Sequence, residues 1–221
     1  MNLDQLIQTI SIWILPVLFA VTIHEAAHGY AARRLGDTTA QMLGRLSLNP
    51  LRHIDPIGTL LVPGVLLALG GFVFGWAKPV PVNMNNLRNP RRDMALVAVA
   101  GPGSNLLMAL GWAIIMKFGI WLVLTAGYDF AKPIVYMGAA GITINLVLLV
   151  LNLLPIPPLD GGRVLSGIVP PRWADILDRI EPYGLIILIA LLFTHVLGYV
   201  LYPVISWLTN LIYGVFHLPM L

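Results

Sequence analysis

The stretch Thr22-Ile23-His24-Glu25-Ala26-Ala27-His28 lies inside an apolar run that carries no charge between Gln5 and His24. In hydrocarbon a helix satisfies every backbone polar group of such a run internally. That helix puts His24 and His28 one turn apart on a single face, so both imidazoles can reach one cation. Glu25, beside the first of them, can take a proton from water activated there without being a ligand itself. This is what the spacing His-Glu-x-x-His means mechanically. Two histidines and a glutamate in lipid are costly unless they are paired or hold a metal, so the stretch predicts an intramembrane site.

The rest of the chain fits that environment. Hydrophobic residues make up 58% of it and charged residues 10%, which excludes an ordinary soluble domain and indicates a polytopic membrane protein. The net charge of +3 comes from basic residues in short loops between apolar segments, as the positive-inside bias places them, and does not suggest a nucleic-acid partner. The chain has no cysteine, so disulfides, thiolate ligands and cysteine nucleophiles are excluded. The first Lys or Arg is Arg33; the opening run therefore reads as a retained transmembrane helix rather than a cleaved signal peptide.

The first segment, about 4–35, ends in Arg33 and Arg34, which places its C-terminus on the cytoplasmic side. Residues 42–48 alternate roughly as a strand would. The apolar stretch 57–76 has basic residues on both flanks and is broken by Pro63, Gly64, Gly70 and Gly71; it reads as a re-entrant or interfacial segment. Residues 76–83 read as an extended, proline-stiffened strand. A segment over 94–126 is interrupted by Gly101-Pro102-Gly103-Ser104-Asn105, a pattern suited to tight helix packing around a buried asparagine. A segment over 132–154 returns inward and ends in Asn152-Leu153-Leu154-Pro155-Ile156-Pro157-Pro158-Leu159-Asp160-Gly161-Gly162-Arg163, which cannot continue as a regular helix. Two apolar segments, 183–197 and 198–216, close the chain; His195 and His217 there read as interfacial or packing residues. His53 and Asp55 read as a loop pair capping the re-entrant segment, and Asn145 as an interhelical hydrogen-bonding group.

A hydrolytic zinc site takes three protein ligands and leaves a position for water. The remaining candidates are Asp37, Asp55, Asp93, Asp160 and His53. Only Asp160 stands at a broken helix end, where a carboxylate can turn in toward a site. The first and third segments both end on the inner side, so His24, His28 and Asp160 can meet at similar depth.

With those residues in view the chain resembles the site-2 proteases, a family of intramembrane zinc metalloproteases. The family's first motif is matched by His24-Glu25-Ala26-Ala27-His28, and its second by Asn152, Pro155, Pro157 and Leu159-Asp160-Gly161. A Gly-Pro-x-x-Asn element is matched by Gly101, Pro102 and Asn105. Residues 49–58 and the Pro79-Val80-Pro81-Val82-Asn83 strand look like those of compact bacterial and archaeal members. The resemblance covers about residues 10–165, with C-terminal helices over about 183–216, and the whole of 1–221 reads as one domain. It implies one Zn2+ per chain on His24, His28 and Asp160, Glu25 as catalytic base, and Asn152 as a group that contacts substrate or steadies the oxyanion. It also implies a membrane-associated β-hairpin beside the site. The PDZ-like insertion and CBS pair of larger members are not seen.

The expected architecture is thus an all-α bundle of about five to six transmembrane segments with a small β-hairpin or re-entrant region, multi-pass in the cell membrane, its site near the cytoplasmic face. The expected function is hydrolysis of peptide bonds in or near transmembrane segments of membrane-protein substrates. A metal-ion or proton transporter would also use intramembrane His, Glu and Asp with broken helices, and an inactive member could act as a binding scaffold. The clustering of polar groups at one end disfavours the first, and the intact ligand set with its base disfavours the second.

Overall fold

The computed structural model describes residues 2–61, 77–194 and 196–220. Its long first helix, α1 (Leu3–Arg34), starts at a reciprocal cap, in which Asn2 Oδ1 accepts from Gln5 N at 2.9 Å and Gln5 Oε1 from Asn2 N at 3.1 Å. Arg33 and Arg34 in its last turn suit the negative end of the helix dipole. The short α2 (Thr39–Met42) follows. Next come α3 (Pro90–Ala126) and α4 (Lys132–Asn152), then the short α5 (Asp160–Ile168) and α6 (Pro171–Ile180), and finally α7 (Gly184–Phe193) and α8 (Val196–Phe216).

Among the described residues four helices are long and apolar enough to cross a membrane: Leu3–Arg34, Pro90–Thr125, Asp129–Asn152 and Val196–Phe216. They present large apolar side chains outward, Leu107 at 70% and Leu124 at 78% exposure among them, as hydrocarbon rather than water requires. The protein is therefore an all-helical membrane protein. Its described residues give four such spans rather than five to six. The difference lies partly in α7: the expected segment 183–197 yields a ten-residue helix, about 15 Å long at 1.5 Å per residue, about half the hydrocarbon thickness. α7 ends at Phe193 and α8 begins at Val196, earlier than composition suggested.

Among the described residues there is no β-strand. The alternation over 42–48 does not become one, because Met42 closes a helical turn and Gly44 at φ +63 reverses the chain. Residues 77–83 are extended, but single tethers replace a ladder: Lys78 N donates to His53 O at 2.9 Å, and the Arg45 guanidinium donates to Lys78 O at 3.0 Å. Prolines at 79 and 81 withhold the amides that a paired strand would need. The expected re-entrant segment begins with the π-helical turn Pro56–Leu61, which Asp55 Oδ1 caps through Ile57 N and Gly58 N; its remainder, 62–76, and His195 lie outside the described residues.

The bundle core is the α3–α4 contact. A Cβ on Gly138 would stand 2.7 Å from Met116 Cα, and one on Gly141 would stand 2.2 Å from Trp112 Cγ. The two helices approach as closely as only small residues permit. Trp112, Met116, Ile142, Leu146 and Ile212 of α8 are buried around that contact. Beyond α1 the chain folds back over its end through Asp37. This carboxylate is 1% exposed. It accepts from Thr39 N (3.0 Å), Thr39 Oγ1 (2.5 Å), Asn83 N (2.7 Å) and Asn86 Nδ2 (3.1 Å).

Burial alone would raise the Asp37 pKa. The hydrogen bonds from Thr39, Asn86 and Asn83 outweigh it and hold the carboxyl below its usual range. A lowered folded-state pKa stabilises the fold above the unfolded value, and that contribution is lost as pH falls through the folded value. Asp37→Asn should cost about 1–3 kcal/mol at neutral pH. In thermal unfolding in detergent, the gap between wild type and variant should be constant from pH 7 to about 4 and close below that.

Candidate metal centre

The motif helix delivers its two imidazoles as their spacing requires. His24 and His28 are buried, 7% and 9% exposed, with their Nε2 atoms 3.1 Å apart. The third group arrives from a distant part of the chain. After α4 ends at Asn152, residues 153–159 turn back, and the helix restarts with Asp160 at its first position. The restart is possible because residues 161 and 162 are glycines: a Cβ on Gly161 would stand 2.3 Å from Leu154 O, and one on Gly162 would stand 2.5 Å from Pro157 N. Asp160 Oδ2 thereby comes to 3.2 Å from His24 Nε2 and 3.3 Å from His28 Nε2. Of the candidate third ligands, only Asp160 joins the histidines. Asp37 and Asp55 accept from backbone amides as described, and Asp93 accepts from Asn89 N at 2.8 Å, at the start of α3. His53 faces Ser47 O at 2.8 Å.

The protons on the imidazoles follow from their outer partners. His28 Nδ1 lies 2.7 Å from Val97 O, a carbonyl that can only accept, so Nδ1 carries the hydrogen. His24 Nδ1 lies 2.6 Å from Asn105 Oδ1. Asn105 Nδ2 donates to Ala20 O at 3.3 Å and to Asn145 Oδ1 at 2.9 Å, which fixes the amide so that its oxygen faces the ring. Both Nε2 lone pairs therefore point inward. Opposite them stands the carboxylate of Asp160. Its Oδ2 is buried and accepts no hydrogen bond.

Two lone pairs and an anionic oxygen converge with no proton between them. A cation resolves that arrangement. A tetrahedral ion with ligand bonds of about 2.0–2.1 Å separates its ligand atoms by about 3.3–3.4 Å, close to the spacings found. The residues fit zinc.

The outer partners are the part that the sequence did not reveal. Asn105 and Asn145 are both fully buried and form a relay from His24 to Gly141 O, which Asn145 Nδ2 reaches at 2.8 Å. Such partners fix the ring orientation and tautomer of a metal-ligating histidine. The Gly-Pro-x-x-Asn pattern was the available signal, but spacing alone could not tell a ring partner from a packing amide. Gly101 was equally silent: a Cβ there would stand 2.4 Å from His28 Nε2 and 2.6 Å from His24 Cε1.

Glu25 is half-buried, and its Oε2 accepts from Val80 N at 2.8 Å. Val80 offers the sole amide between Pro79 and Pro81, so the extended segment 77–83 crosses the site and holds one carboxylate oxygen. A cavity of about 430 Å³ opens beside the ligand atoms, lined by His24, Glu25, His28, Val80, Asn152 and Asp160 among others. Asn152 stands on its wall, with Nδ2 donating to Leu148 O of its own helix at 3.0 Å, and is not within the ligand cluster.

A buried His-His-Asp triad with a neighbouring glutamate and a cavity, its histidines and glutamate on a membrane-crossing helix, defines the class of membrane-embedded metallohydrolases. The sequence model of peptidase family M50 matches residues 129–195. The chain is 38% identical over 197 residues to a Bacillus subtilis protein provisionally named zinc metalloprotease YwhC, covering 87% of this chain and 85% of that one. It is 32% identical to proteins provisionally named zinc metalloprotease Rip2 from Mycolicibacterium smegmatis and Mycobacterium tuberculosis, over 86% and 90% of this chain and 70% and 73% of theirs. No solved structure matches at a significant level. The chain belongs to peptidase family M50, the site-2 proteases.

Gly101→Ala should abolish stoichiometric zinc while leaving helix content intact, because the added methyl occupies the space of the ligand rings. Metal analysis of the purified protein beside its circular dichroism spectrum checks this.

Proposed function

We propose that this protein is a zinc endopeptidase of the membrane that hydrolyses peptide bonds in or near the transmembrane segments of other membrane proteins. The observation that carries the reading is the convergence of His24 Nε2, His28 Nε2 and Asp160 Oδ2 in one cavity with Glu25. Those three atoms would hold the zinc. When bound, zinc supplies Lewis acidity, lowering the pKa of water and polarising a carbonyl.

The chain's own residues do the rest. Glu25 accepts the proton of the attacking water and passes it to the departing amine. The Val80 N–H steadies its Oε2, leaving Oε1 for proton transfer. Asn152, on the cavity wall, would supply amide hydrogens to the substrate carbonyl as negative charge develops there. Peptide bonds in a helix are shielded by their own hydrogen bonds, so substrate enters unwound; segment 77–83, extended along the cavity, offers backbone carbonyls against which such a stretch can lie. The basic ends of α1 and α3 support an orientation of a multi-pass protein in the cell membrane with this end of the bundle toward the cytoplasm, where water would reach the metal.

The transporter reading finds less support. The deeper polar groups, Asn105 and Asn145, are spent on one another and on Gly141 O, and among the described residues they lead to no further ionisable group.

Glu25→Gln separates these readings. With a model transmembrane substrate in detergent, the variant should keep one zinc per chain and lose cleavage by about 10²–10⁴-fold. Chelation should abolish wild-type cleavage, and added zinc should restore it. Zinc flux in proteoliposomes without peptide products from any substrate would overturn the assignment.

A further inference from the structure

The short helix α6 (Pro171–Ile180) carries chemistry that the proteolytic site does not use. Ala174 is fully buried against the protein, and the exposed Asp175 and Asp178 reach it from the edge of that face: Asp175 Oδ1 pairs with Arg91 Nη2 at 2.8 Å, and Asp178 Oδ1 accepts from Ser166 Oγ of α5 at 3.1 Å. The opposite face is Trp173, Ile176 and Ile180, at i, i+3 and i+7. Trp173 is 63% and Ile176 48% exposed, and Ile168 before the helix and Tyr183 after it are 74% and 64% exposed. Arg172 and Arg179, about two turns apart on the flank between these faces, are exposed and have no ion-pair partner among the described residues.

The depth of this helix is given independently. Arg91 lies in the first turn of α3, in the charged run Arg91-Arg92-Asp93 that precedes the apolar stretch of that candidate span, and its pairing with Asp175 ties α6 to that end. Gly167, at the end of α5, packs against the same turn, where a Cβ would stand 2.8 Å from Arg91 O and 2.6 Å from Ala95 Cβ. An amphipathic helix at this end of the bundle, with tryptophan on its apolar side, an exposed tyrosine just after it and arginines at its flank, matches the chemistry of an anionic lipid surface.

The geometry points to α6 as a membrane-surface helix whose Trp173–Ile176 face seats in the bilayer interface and whose Arg172 and Arg179 bind anionic lipid headgroups. Both faces are then satisfied: the acidic residues by the protein, the apolar and basic ones by lipid. This needs the chain to sit in a bilayer, but not that it cleaves peptides.

The absence of cysteine makes the test direct. Trp173→Cys and, separately, Ile176→Cys in the full chain are labelled with a nitroxide and reconstituted in phosphatidylcholine vesicles, with or without phosphatidylglycerol. Both labels should be open to oxygen and shielded from a water-soluble nickel chelate, more deeply when phosphatidylglycerol is present. Adding R172Q and R179Q should remove that phosphatidylglycerol-dependent gain. Free access of the nickel chelate in both vesicles would overturn the proposal, as would shielding from both reagents or spin–spin coupling between copies, which mark a protein partner or self-association. Immersion insensitive to phosphatidylglycerol and to the arginine changes would overturn the headgroup assignment.

Discussion

Two imidazole lone pairs and a carboxylate oxygen held within 3.3 Å of one another in an apolar bundle repel unless a cation lies among them. In water such groups would swing apart and hydrate. Here they cannot, because each ring is held from behind: His28 by the Val97 carbonyl and His24 by Asn105. The outer hydrogen bonds fix the tautomers, the tautomers aim the lone pairs, and the aimed lone pairs create the demand for metal. The low dielectric that makes an unpaired charge so costly there also strengthens each fully satisfied bond. Metal binding and the packing of α1, α3 and α5 are thereby one energetic unit.

That unit depends on missing side chains as much as on present ones. Gly101 lets α3 lie against both rings, and Gly161 and Gly162 let α5 restart beneath the 153–159 turn so that Asp160 reaches them. Gly138 and Gly141 set the distance between α3 and α4 on which the Asn105–Asn145 bond relies. Without a hydrophobic drive between helices in lipid, close backbone approach and interhelical hydrogen bonds supply the association. The glycines and the two asparagines therefore act together.

The extended segment 77–83 is the second structural theme. Prolines keep it straight and strip it of donors, and three of its other amides are bonded in turn: Lys78 to His53 O, Val80 to Glu25, Asn83 to Asp37. It ties the loop after α1 to Glu25, so the carboxylates of Glu25 and Asp37 hold the same segment. Pairing with another strand was the natural expectation for so extended a stretch, but few of its amides are free to make one.

Local rules of the chain determined a good deal. Composition dictated a membrane bundle, helical periodicity placed His24 over His28, and the proline-glycine break singled out Asp160 among the acidic residues, because each depends only on neighbours in the chain. The alternation over 42–48 and the expected span over 183–197 misled for the same reason: alternation does not supply a pairing partner, and apolar composition does not supply helix length, whereas the span expected over 198–216 is found as Val196–Phe216. What only the tertiary structure decided were relations between distant segments. The Asn105 oxygen meets the His24 ring 81 positions away, Val80 N–H meets Glu25 across 55, and Gly101 faces both ligands. Distances across a bundle depend on how closely helices pack, and no spacing along one helix records that.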